Sequence, residues 1–137
     1  MDARTTSADA HASSADLIEL LVPIRPKFAS TLRTLAASVG ADLGFSIDEL
    51  DDVRLAISEV FSVLVERADE STPRVRIEMS ATDASLAVTL GFDGGATNVE
   101  LDELAEHILR SVTDSYEVTP NGISFVKVGT ERHHLLP

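Results

Sequence analysis

S-I-D-E-L-D-D-V-R-L-A-I-S-E-V-F-S-V-L, residues 46 to 64, carries the strongest folding signal in the chain. Ser46 and Glu49 stand at the spacing of an S-x-x-E capping box, in which side chain and backbone satisfy each other's free N–H groups. Leu50, Val53, Ile57, Val60 and Leu64 then step by three, four, three and four, which makes one apolar stripe on a helix. The spacing predicts a helix from Ser46 to about Arg67 or Ala68, broken by D-E-S-T-P at 69–73. Glu59 projects roughly 130° from that stripe on an ideal helix, toward solvent. Val63 follows it by one turn on the same side.

Working outward, L-I-E-L-L-V-P-I (17–24) reads as a strand that Pro23 and Pro26 bring to an end. Pro26 suits the first turn of a helix carrying Phe28, Leu32, Leu35 and Val39, which Gly40 and Gly44 loosen and end. R-V-R-I-E-M-S (74–80) and S-L-A-V-T-L-G-F (85–92) alternate apolar and polar residues and are close enough for an antiparallel hairpin. After the D-G-G-A break at 93–96, Thr97 and Glu100 form a second capping-box pattern. It predicts a helix with Leu101, Leu104, Ile108 and Val112 in register. S-Y-E-V-T (115–119) and G-I-S-F-V-K-V (122–128) flank a P-N-G turn as two further strands. Helices that cover one face of a mostly antiparallel sheet define an α+β class, a two-layer sandwich. The expected organisation is one domain over 17–129, with a disordered tail at 1–16 and a short tail at 130–137.

Composition narrows the function. A chain of 137 residues buries enough surface to fold without metal or disulfide. Aromatics make up 4%, with no Trp and one Tyr, so an aliphatic core is expected. The absence of cysteine excludes disulfides and thiolate chemistry. No apolar run reaches the roughly 20 residues of a membrane span, and the first 16 residues lack an apolar signal region. A cytoplasmic location is therefore expected. With 23 acidic against 11 basic residues the net charge is −12, which disfavours nucleic acid and suits a basic partner. His11, His107, His133 and His134 lack metal-ligand spacing, so no metal is expected from them. No G-x-x-x-x-G-K or G-x-S-x-G motif is present.

L-D-D-V-R-L-A-I-S-E-V (50–60) resembles a helix of the anti-sigma factor serine kinases, which have the GHKL (Bergerat) ATPase fold. G-F-D-G-G (91–95) stands in the place of that family's D-x-G box. L-A-E-H-I-L-R-S-V-T-D-S-Y-E-V (104–118) keeps the apolar pattern of the helix that follows its nucleotide lid. The resemblance covers about 17–128. It implies Glu59 as general base toward a partner's serine, Asp93 as the adenine-recognising aspartate with Gly95 beside it, and Arg33 as a partner-binding residue. It also implies a homodimer that binds ATP and magnesium.

Three positions depart from the family pattern. Val63 stands where the magnesium-binding asparagine belongs, and Glu103 and Ala105 stand at two lid glycines. Magnesium takes oxygen ligands, which valine lacks, and a glutamate adds negative charge near phosphates. The resemblance with these departures implies an anti-sigma factor that sequesters a sigma factor without ATP turnover, with Glu59, Asp93 and Gly95 as vestiges. Release would follow competition by an anti-anti-sigma (STAS-domain) protein. The alternatives are an active serine protein kinase using ATP and magnesium, and a GHKL-like interaction scaffold for another partner.

Overall fold

The computed structural model describes residues 16–72 and 74–130. Its elements are β1 (Asp16–Pro23), a 3-10 turn (Pro26–Phe28), α1 (Ala29–Asp42), α2 (Ile47–Arg67), β2 (Arg74–Thr82), β3 (Ser85–Phe92), α3 (Glu103–Val112), β4 (Ser115–Thr119) and β5 (Gly122–Val128). The strands form one sheet in the order β1-β2-β3-β5-β4, every neighbouring pair antiparallel. The α+β two-layer class expected from the sequence is the one observed.

Alternation along the strands sorts the two faces. Val22, Val75, Ile77, Met79, Leu86, Val88, Leu90, Ile123 and Phe125 point into the core shared with the helices. Arg76, Glu78, Thr89 and Ser124 lie on the outward face, where no element among the described residues covers them. The core is less purely aliphatic than composition suggests, because its two largest fully buried side chains are Phe61 and Phe125.

The capping box of α2 forms as expected. The Glu49 N–H donates to Ser46 Oγ (3.1 Å) and the Ser46 N–H donates to Glu49 Oε1 (2.7 Å). The helix ends at Arg67, within the expected limit. Its buried face is wider than the heptad-like stripe, because Ala56, Phe61 and Val63 are buried as well. α2 is the middle helix of the layer, packed by α1 on one flank and α3 on the other, so only a narrow ridge is left to solvent.

Two expectations are corrected. Gly40 does not loosen α1; it lies buried within it, where a Cβ would come within 2.8 Å of the Phe45 ring. The helix stops only at Asp42, followed by Gly44 in the left-handed region (φ +86°). In the last helix Thr97 and Glu100 form no capping box. The N-cap is Asp102, whose carboxylate accepts from the Ala105 N–H at 2.8 Å. The stretch before it is spent on tertiary contacts: buried Thr97 Oγ1 accepts from the Phe92 N–H, and the Thr97 N–H donates to the Pro120 carbonyl. The later start shifts the phase, so Ala105, Leu109 and Val112 are buried while Leu104 is 65% exposed.

Of the expected tails, residues 1–15 and 131–137 lie outside the described residues. Asp16 already pairs with Ala81 in the sheet, and the Thr130 N–H donates to Glu49 Oε2. Among the described residues no helix is long and apolar enough to cross a membrane.

Candidate functional site

Glu59 lies on α2 within electrostatic reach of Asp102, the α3 N-cap, and it is half-buried rather than solvated. The helix-wheel projection placed it in solvent because it considered α2 alone; α3 covers that side. Burial, and then the negative charges of Asp102 and Glu66, push its carboxyl above the usual carboxylate range. Among the described residues no ion pair reaches Glu59, Glu66 or Asp102. Asp102 did not stand out in the sequence, because the Thr97–Glu100 pattern offered a competing helix start.

Val63 is 9% exposed and belongs to the same core cluster as Val99, Ala105 and Leu109. One turn from Glu59, the helix therefore turns a hydrocarbon into the core. Ala105 is fully packed in that cluster, whereas Glu103 is exposed in the first turn of α3. Among the described residues there is no group of three or more His, Asp or Glu side chains that could hold a metal ion.

Asp93 follows β3. Its carboxylate is held by Arg76 (2.9 Å) and Arg74 (3.3 Å), and its N–H donates to the Arg74 carbonyl. Gly94 turns the chain with φ +89°. Gly95 lines a cleft of about 330 Å³ with Arg76, Glu78, Thr89, Gly91, Phe92 and Asn121. Asp93 and Gly95 are thus brought to the same corner of the outward sheet face, and the interactions of Asp93 share no residue with those of Glu59. The two arginines were legible in R-V-R-I-E, where alternation puts both on one face. Arg33, on α1, is half-buried and reaches across to α2, its Nη1 donating to Ser58 Oγ at 3.1 Å.

A five-stranded antiparallel sheet covered on one face by three helices is a GHKL-like α+β fold. The RsbU and RsbW domains of Rv1364c from Mycobacterium tuberculosis align over 85% of this chain and 33% of theirs, with a TM-score of 0.61 and 14% identity. In sequence the chain is similar, at low identity, to proteins named serine-protein kinase RsbW. It is 23% identical over 90 residues to serine-protein kinase RsbW of Bacillus licheniformis, covering 64% of this chain and 56% of that protein. It is 27% identical over 84 residues to the Bacillus subtilis protein of the same name, covering 60% and 52%. The Bacillus pumilus protein aligns over 131 residues at 22% identity, covering 79% and 81%. The chain thus spans about half the length of the first two relatives. No family model matches it.

Proposed function

We propose that this protein is an anti-sigma factor. It binds and sequesters an alternative sigma factor of the stress or sporulation type, and an anti-anti-sigma protein of the STAS class releases it by competition. The observation that carries this reading is Val63, packed in the core one turn from Glu59, at the position where a magnesium ligand would have to stand. Valine supplies no oxygen, and Glu59, Glu66 and Asp102 present like charges to any phosphate. The residues present therefore do not fit a magnesium–nucleotide. In this reading the chain is a pseudokinase in which Glu59 is a vestigial base and Asp93 and Gly95 a vestigial adenine corner. Holding the partner requires no nucleotide chemistry from any of them. Arg33 is a partner-binding residue on α1, and the homodimer expected from the resemblance is retained.

The acidic balance supports a basic partner, since complementary charge speeds encounter and suppresses wrong pairings. The competing reading, an ATP-dependent serine protein kinase, is favoured by the retained Glu59 and by the similarity to proteins named serine-protein kinases.

Mixing the purified protein with candidate sigma and STAS partners, with and without magnesium-ATP, tests between them. The expected result is a sigma complex that forms without nucleotide and no phosphoserine on the STAS protein. Phosphoserine that disappears in Glu59→Gln would establish the kinase instead.

Val63→Asn tests the site directly. Placing an amide in this packed position is expected to cost about 2–3 kcal/mol of stability and to create no ATP binding. Thermal melts with and without magnesium-ATP check it; a melt that ATP raises in the variant would mean that an open nucleotide site survives.

A further inference from the structure

The helical face has a feature that the fold does not use. On an ideal helix Asp48, Asp51, Glu59, Ser62 and Glu66 fall within about 40° of the direction of Leu55, so together they form a ridge of α2 that is exposed except at half-buried Glu59, on its α3 edge. The ridge runs down the middle of the helix layer. The Arg33–Ser58 hydrogen bond marks its α1 flank, and the Lys127–Asp52 ion pair, whose Nζ also donates to the Val112 carbonyl of α3, marks the other. Leu55 is 46% exposed at its centre, and Leu104, just past the α3 N-cap, is 65% exposed. Of the four carboxylates on the ridge only Asp51 has an ion-pair partner among the described residues, Arg54.

We propose that this ridge is the docking surface for a basic amphipathic helix of the partner protein, whose apolar side seats on Leu55 and Leu104 and whose Lys or Arg residues meet Glu59, Glu66 and Asp102. The inference deepens the anti-sigma reading and rests on it only for the partner's identity. Charge complementarity selects the occupant. A ridge with four acids on a chain of net charge −12 repels a second copy of itself and attracts a cationic helix. Glu59, half-buried and beside the like charges of Asp102 and Glu66, gives an external cation three carboxylates to meet. Exposed leucines beside the acids give a helix-in-groove contact its apolar anchors.

The outward sheet face supplies the control. Glu19, Glu78 and Glu117 share one cross-strand row there, joined through Thr89 and Ser124, and the exposed leucines of that face, Leu17 and Leu21, flank Glu19 on the edge strand β1, away from Glu117. Charge alone would therefore not choose between the faces.

The test titrates the full chain with a fluorescent 18-residue leucine–lysine peptide of helical periodicity, beside a lysine-only peptide of equal charge. Leu55→Glu is expected to weaken binding of the amphipathic peptide at least about tenfold, with Leu55→Ala as a milder second variant. Glu59→Lys combined with Glu66→Lys should do the same, while Glu78→Lys changes affinity less than about twofold. Equal losses from Glu78→Lys, equal affinity for the lysine-only peptide, or no saturable binding by the wild type would each overturn the ridge. A sigma subunit bound equally by wild type and Leu55→Glu would overturn the ridge and leave the anti-sigma reading intact. Peptide binding at the ridge with no sigma complex would uphold the ridge and count against that reading.

Discussion

Gly122→Ala is expected to lower the unfolding free energy by about 3–5 kcal/mol, enough to bring Tm down by roughly 10 °C or more. Two observations set the size. Gly122 has φ +148°, a conformation that residues with a Cβ rarely adopt, and an added Cβ would sit 2.3 Å from the Leu90 carbonyl oxygen. The obstruction is backbone, so no side chain can swing aside to admit the methyl. The damage would spread beyond the β4–β5 turn, because the neighbouring Pro120 carbonyl accepts the Thr97 N–H that ties the 93–102 connection to the sheet. Thermal or urea unfolding of the variant measures the loss; a fall below about 1 kcal/mol would mean that the turn can open without disturbing β3.

Glu49→Gln carries the second large effect, and it is visible in pH dependence. Burial alone would raise the Glu49 carboxyl, but hydrogen bonds from Ser46 and Thr130 outweigh it and hold the group down at about 2, against an ordinary value of 4.5. A folded-state value below the unfolded one adds stability that is fully present above pH 4.5 and is lost as pH falls toward 2. A shift of this size corresponds to about 3 kcal/mol. The wild type should therefore lose about that much between pH 5 and pH 2 from this group. Glu49→Gln should be less stable by a similar amount at pH 7 and lack that share of the acid-limb slope. Urea midpoints across pH for both proteins check it; parallel curves would show that the capping carboxylate is not coupled to folding. The physical origin is that one buried side chain ties together two segments far apart in sequence, capping α2 through Ser46 and holding the residues just after β5 through Thr130.

Where local rules were sufficient, the sequence was a good guide. The element order, the Ser46–Glu49 box and the alternation of β2, β3 and β5 all depend on neighbours in the chain. The readings failed where tertiary contacts reassign a residue that local rules had claimed. Thr97 looks like a cap until the structure shows it buried, holding the Phe92 N–H. Gly40 looks like a helix breaker until the Phe45 ring is seen to need the space. Glu59 looks solvated on an isolated helix, and only the packing of α3 brings Asp102 near it. The same limit hid the pairing of Asp93 with Arg74 and Arg76, since nothing in D-G-G-A tells which face of the sheet the aspartate joins. Val63 is the opposite case. The letter itself offers no oxygen ligand, and the fold adds that the side chain is part of the core.

The account stands or falls on whether this fold still takes up nucleotide. Calorimetric titration of the purified protein with ATP, with and without magnesium, is the most direct measurement. The account predicts no saturable heat up to millimolar ATP in either condition. Saturable binding that requires magnesium would contradict it, restore Glu59 to a working carboxylate, and make phosphoryl transfer to a partner serine the function to pursue.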